Sequence, residues 1–180
     1  MSRILILNGS YRRHAFTVSL IRSFQKGAEE AGHEVEVVNL CDKKIHPCIG
    51  CLQGGRDTLS PCTQKDDMDD IYGAYRKADL IVFATPLFFW AMSGLLKNCL
   101  DRLWALAEGE EDQLHGNEKS GLLLVAAGGS HPQSILDHFG YLMTRLQWKN
   151  RGHYVLMHTD DKNIHEIPLW EELVELGKNI

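Results

Sequence analysis

Three short segments carry residue types suited to holding a phosphorylated, planar ligand. The first runs Ile4-Leu5-Ile6-Leu7-Asn8-Gly9-Ser10 into a polar loop closed by Thr17. A phosphate at a helix start wants free backbone N–H groups, a favourable helix dipole and short hydroxyl donors. Ser10 and Thr17 supply the hydroxyls, and the N–H groups of Phe16, Thr17 and Val18 open the helix. Arg12, Arg13 or His14 can add positive charge. The second segment, Leu80 to Pro86, opens into Leu87-Phe88-Phe89-Trp90. Three consecutive aromatics can wall a flat ring while backbone groups near Leu87 to Trp90 meet its polar edge. The third places Gly128-Gly129 directly after another apolar run. Paired glycines permit close backbone approach to a ligand. A crevice that holds both a phosphate and a flat ring implies, most simply, a flavin.

Each segment also has a plainer reading. The first could be an ordinary strand-to-helix turn with Thr17 as N-cap. The aromatics could form core or a subunit contact, and the glycines a tight turn. The first loop has neither the Gly-Lys-Ser/Thr of a P-loop nor a Gly-x-Gly-x-x-Gly turn, which argues against both of those nucleotide-binding folds.

The elements that must position these loops alternate along the chain. Residues 3–8, 34–39, 79–85, 122–127 and 153–157 read as strands. Residues 17–31, 66–77, 93–107 and 133–148 read as helices, and a last amphipathic helix begins near Pro168. Leu20, Phe24, Ala28 and Ala31 share one face of the first helix, which Gly32 ends. Residues 41–65 are irregular and hold most of the cysteines, and 108–119 form a polar loop. Five near-continuous apolar strands joined by helices predict an α/β domain spanning residues 1–180, with a five-stranded parallel sheet covered on both faces. Ligands of such sheets bind beyond the carboxyl ends of the strands. Loops 9–17, 86–93 and 128–133 belong there.

Composition narrows the function classes. The 180 residues are 44% apolar, with 19 basic and 24 acidic side chains and a net charge of -5. No basic run suits nucleic acid or an anionic membrane. No apolar stretch approaches the roughly 20 residues of a bilayer span. The first apolar run is too short for a secretory leader. Five cysteines without a secretory context argue against a disulfide framework and for a cytoplasmic location.

Four segments together resemble the NAD(P)H-dependent FMN reductases of the flavodoxin-like fold. They are Gly9-Ser10 with Thr17, Asp66-Asp67-Met68, Ala78 to Pro86, and Ser93-Gly94-Leu95-Leu96-Lys97-Asn98-Cys99-Leu100-Asp101-Arg102. The resemblance covers about residues 3–135 and implies a three-layer flavodoxin-like sandwich. It places the FMN phosphate on Ser10, Thr17 and the backbone of 16–18, with Arg12 nearby. The isoalloxazine ring lies against Pro86, Leu87, Phe88, Phe89 and Trp90, and Gly128-Gly129 closes the site. NADPH or NADH is the implied electron donor, a small molecule the acceptor, and a homodimer (or a tetramer) the assembly. The loop departs from the family's common Gly-Ser-Pro-Arg at Tyr11, His14, Ala15 and Phe16, which preserves backbone contacts but not side-chain amide ones. The aromatic triplet lacks the usual Tyr hydroxyl.

Cys48 and Cys51 form a Cys-x-x-Cys pair, as in several relatives, and iron–sulfur flavoproteins use a tighter four-cysteine run for a cluster. Here position 54, where a third cysteine would continue the spacing, is glycine. Reduced loop thiols, a redox pair, and zinc held by His46, Cys48, Cys51 and Cys62 all remain open. Asp66, Asp67, Asp69 and Asp70 suit a helix start better than a metal. Two functions remain: a reductase passing hydride through FMN to a quinone, nitro or azo compound or flavin, and a flavodoxin-like electron carrier or flavin-binding regulator. No catalytic acid–base pair and no metal ligand set is predicted.

Overall fold

The computed structural model describes residues 1–116, 118–165 and 168–180. The expected polar loop at 108–119 and the extension at 158–180 therefore include Asn117, Glu166 and Ile167, which lie outside the described residues. Five strands, β1 (Arg3–Asn8), β2 (Glu34–Asn39), β3 (Leu80–Pro86), β4 (Ser120–Ala126) and β5 (Lys149–Leu156), form one sheet in the order β2-β1-β3-β4-β5. All neighbours run parallel. This is the flavodoxin-like order, and it reverses direction between β1 and β3, where a crevice opens at the carboxyl ends.

The apolar runs become central strands because successive side chains serve opposite faces of the sheet. Ile4 and Ile6 of β1 join Val82 and Leu124 in one core; Leu5 and Leu7 join Phe83 and Leu123 in the other. Helices α1 (Phe16–Glu30) and α5 (Glu171–Lys178) cover the first face. Helices α2 (Met68–Lys77), α3 (Gly94–Leu103) and α4 (Gln133–Leu146) cover the second. α1 and α5 cross with backbones in contact at Gly27 and Gly177. A Cβ on Gly27 would lie 2.7 Å from the Val174 carbonyl carbon, and one on Gly177 would lie 2.8 Å from Ala28 N.

The boundaries differ from expectation where local chemistry is ambiguous. β5 begins at Lys149 rather than 153, through the polar, exposed stretch Lys149-Asn150-Arg151. It is an edge strand, so its outer face needs no apolar residues, and a register shift opposite Gly121 accompanies the left-handed Gly152 (φ +93°). β4 begins two residues early, where Ser120 and Gly121 pair with both neighbouring strands, and Gly121 leaves room for α4: a Cβ there would lie 2.9 Å from Met143 Cε. α3 ends at Leu103 and tightens into a 3₁₀ turn over Trp104–Ala107.

Candidate active site

Beyond the carboxyl ends of β1, β3 and β4 lies a cavity of about 730 Å³, within the usual size of a cofactor site. Its floor begins with the turn after β1. Asn8 Oδ1 accepts the Ser10 N–H (3.0 Å), and the Ser10 hydroxyl closes onto the Arg12 backbone, accepting from its N–H and donating to its carbonyl (both 3.2 Å). α1 then starts at Phe16 with Ala15 as N-cap and no side-chain cap. Thr17 is thus not the N-cap; it lies inside the first turn, almost fully buried.

The backbone N–H groups of Phe16, Thr17 and Val18 donate to no acceptor among the described residues. A helix start with uncapped donors can hold an anion. Ser10, Arg12, Phe16 and Thr17 line the cavity, whereas Val18 faces a neighbouring groove. Arg13 turns away to pair with Asp42 at 2.7 Å, and His14 also lines the neighbouring groove.

The aromatic segment forms a two-residue reverse turn. Phe88 and Ala91 exchange both backbone hydrogen bonds (3.1 and 3.0 Å), and the residues between them, Phe89 and Trp90, both have positive φ (50° and 59°). That is the backbone of a type I′ turn, which usually selects Asn and Gly. Bulky residues there store strain, a recurrent mark of functional loops. Leu87 N donates to Ala126 O at 2.8 Å and anchors the turn's base; Ser134 of α4 donates to Trp90 O at its tip. Phe89 is 94% exposed and Trp90 59%. Pro86, Leu87, Phe88, Phe89 and Trp90 all line the cavity.

Gly128 and Gly129 line the opposite wall. At Gly128 the lack of a side chain is used by Asp160, whose Cγ would lie 2.7 Å from an added Cβ; Gly129 faces open space. Asp160 and Lys162 come from the segment after β5 and were not expected in the site. Thr159 N donates to Ala127 O at 3.0 Å, which draws that segment beside the glycines. The rule that placed the other three loops at the carboxyl edge applies equally to β5, and it was the available signal. His131 also lines the cavity.

The cysteine segment lines no part of this cavity and is anchored by Arg102, whose side chain is fully buried on α3. Arg102 donates to both Asp66 oxygens (2.7 and 3.1 Å), to His46 O and Gln64 O, and to Cys62 Sγ at 3.2 Å. Burial works against a charged Asp66. Hydrogen bonds from Arg102 and from the His46 and Met68 N–H groups outweigh it and hold the carboxyl well below the usual range. The other acids of the cluster also bind protein: Asp67 accepts from Lys44 N, Asp69 from Ser60, and Asp70 pairs with Lys43.

A doubly wound parallel sheet with uncapped helix donors and an apolar wall in one carboxyl-edge cavity defines a flavodoxin-like protein. A sequence model of the NADPH-dependent FMN reductases matches residues 2–162, and the chain belongs to that family of oxidoreductases, whose cofactor is FMN.

An iron–sulfur flavoprotein of Archaeoglobus fulgidus is 28% identical over 135 residues, 75% of this chain and 59% of its own length. An FMN-dependent NADPH-azoreductase of Staphylococcus saprophyticus is 30% identical over 99 residues, 55% of this chain and 50% of its own. The chain spans between 48% and 59% of the first three iron–sulfur flavoproteins it matches. The structure of NAD(P)H:quinone oxidoreductase from Methanothermobacter marburgensis superposes with a TM-score of 0.72 at 20% identity, covering 99% of this chain and 96% of that one. An FMN-dependent NADH-azoreductase from Bacillus anthracis, in complex with FMN, gives 0.70 at 13% identity and covers 98% of each chain. These likenesses show the fold.

The cavity fits FMN: uncapped donors suit its phosphate, and the space at Gly129 admits a ligand against backbone. An iron–sulfur cluster, by contrast, does not fit. Among the described residues no three His, Cys, Asp or Glu side chains assemble as a metal-binding group. A Cβ at Gly54 would lie 2.9 Å from Ala105 Cα and collide with the Glu108 carboxylate, which already accepts the Gly54 N–H at 2.6 Å.

Proposed function

We propose that this chain is an FMN-dependent NAD(P)H oxidoreductase that reduces a small acceptor such as a quinone, a nitro or azo compound, or a free flavin. FMN, when bound, would supply the redox chemistry, accepting reducing equivalents from a nicotinamide and passing them to the acceptor. The observation that carries this reading is the opposition, across one cavity, of the uncapped amides at Phe16 and Thr17 and the strained aromatic turn at Phe88–Trp90.

The chain's own residues bind and orient. The N–H groups of Phe16 and Thr17, with the Thr17 and Ser10 hydroxyls and the Arg12 guanidinium, hold the phosphate dianion at the positive end of α1. Pro86 to Trp90 form the apolar wall for the ring, and Gly128-Gly129 offer backbone N–H groups to its polar edge. Among the described residues those two glycine amides have no acceptor. Phe88, Phe89 and Trp90 are each more than half exposed. This supports a second copy of the chain covering the cavity mouth and excluding water from it. Five unpaired cysteines suit the reducing cytoplasm. Steady-state oxidation of NADPH and of NADH by FMN-loaded protein, with a quinone and an azo dye as acceptors, tests this reading. Turnover with neither acceptor would overturn it.

A further inference from the structure

Cys48 and Cys51 lie on a part of the chain that the proposed flavin site does not use. Arg102 and Asp66 pin the segment at His46, Cys62 and Gln64, while residues 46–50 are exposed. Within that turn Gly50 adopts φ +64°, and its N–H donates to Cys48 Sγ at 3.4 Å. Cys51 Sγ lies 3.4 Å from Thr63 Oγ1. The Thr63 hydroxyl and then the Gln53 N–H draw the Cys51 thiol below its ordinary range. Each sulfur thus faces the N–H of the residue two positions on, and at Cys51 the donors favour the thiolate, the form that attacks disulfides.

The other three cysteines are withdrawn from such chemistry. Cys99 is fully buried, and burial pushes its thiol up to about 12. Burial, and then Asp42, raise the Cys41 thiol. Cys62 is buried against the Arg102 guanidinium. The position that would carry a third cluster ligand is closed by Ala105 and Glu108 around Gly54. What remains is one accessible pair of thiols, three residues apart on one glycine turn.

We infer that Cys48 and Cys51 form a reversible dithiol–disulfide pair that exchanges with small-molecule disulfides, in place of the cluster for which the iron–sulfur relatives are named. The Cys51 thiolate attacks one sulfur of the small disulfide, breaking its S–S bond and releasing a thiolate. Cys48 then attacks Cys51 Sγ in the mixed disulfide, forming the Cys48–Cys51 bond and expelling the second thiolate. The pair loses two electrons, the small disulfide gains them, and the two cysteine protons pass to the departing thiolates.

The test is anaerobic incubation of FMN-loaded protein with glutathione disulfide, followed by alkylation and peptide mass mapping, with FMN content measured in parallel. Wild type is expected to lose two alkylatable thiols to a Cys48–Cys51 cross-link that reduced glutathione reverses. Cys48→Ser is expected to retain glutathione on Cys51, and Cys51→Ser to react about tenfold more slowly. Two thiols that stay free, stable glutathione adducts on the wild-type pair, or Cys51→Ser reacting as fast as wild type would overturn the inference. Ferrous iron and sulfide added anaerobically are expected to leave no bound iron after desalting; a retained cluster would also overturn it. FMN content is expected to be the same in all three proteins, so the outcome is separable from the flavin reading.

Discussion

The Ser93 hydroxyl donates a 2.7 Å hydrogen bond to the Gly9 carbonyl, joining residues 84 positions apart. The same oxygen accepts the Leu96 N–H as N-cap of α3, while Ser93 N donates to Thr85 Oγ1 at 3.0 Å. One side chain thus fixes the distance between the proposed phosphate loop and the strand that delivers the aromatic turn. Gly9 has no room for a side chain: a Cβ would lie 2.7 Å from Ser93 Oγ and 2.9 Å from Leu96 Cβ. Ser93→Ala is expected to cost about 1–2 kcal/mol of stability, and Gly9→Ala about 1–3 kcal/mol through overpacking. Urea denaturation with and without FMN checks both. Loss of more stability in the FMN-loaded form than in the apo form would show that the stitch also positions the cofactor loops.

The phosphate loop yields a second expectation. Replacing both Ser10 and Thr17 by Ala removes two hydroxyl donors and should weaken FMN binding by about 1–3 kcal/mol in total. Fluorescence titration with FMN reads this directly. Because Ser10 also closes the turn onto Arg12, Ser10→Ala should lose more affinity than its single donor would suggest. Unchanged affinity in the double variant would move the phosphate elsewhere.

The strain at Phe89 and Trp90 separates stability from function. Asn tolerates the left-handed region that Phe89 occupies at φ 50°, so Phe89→Asn should stabilise the apo protein by about 1 kcal/mol. If the ring is needed in the site, the same change should weaken FMN binding or slow turnover. Thermal unfolding of the apo protein and FMN titration of the variant test the two halves independently.

Sequence pattern exposed the five-stranded parallel sheet and three of the four loops that line the cavity, since buried parallel strands read as apolar runs. It exposed less where the decisive contact is remote. Asp160 reaches the site only because Thr159 bonds Ala127 across two strands, and nothing local to Thr159-Asp160-Asp161 says so. Arg102 sits at a helical position that looks like an exposed charge beside Asp101, yet it is fully buried by partners 36 to 56 residues away. The turn at Phe89-Trp90 runs against local preference, so its geometry was legible only as an anomaly of composition. Val18 shows the converse: proximity in sequence to Thr17 did not put it on the cavity wall.

Acid should release the cysteine segment before it unfolds the domain. The folded-state carboxyl of Asp66 titrates below its ordinary value. Its contribution is therefore complete above the unfolded value near about pH 4 and is lost as pH falls further. Asp66→Asn leaves the Arg102 charge buried without its counterion and should cost about 3–5 kcal/mol. Hydrogen exchange at residues 44–66, followed from pH 6 to pH 3 in wild type, should show protection falling only at the acid end. Protection that does not change over that range would count against the Asp66–Arg102 anchor.

The central claim, that the cavity between the α1 start and the aromatic turn is a nicotinamide-driven FMN site, is tested most directly by mixing FMN-loaded protein with NADPH or NADH without oxygen. The expected result is bleaching of the flavin band at about 450 nm by at least one of the two nucleotides, slowed or abolished in Ser10→Ala/Thr17→Ala. A flavin band that persists with both nucleotides in FMN-loaded protein would contradict the account and leave an electron carrier or flavin-binding regulator in its place.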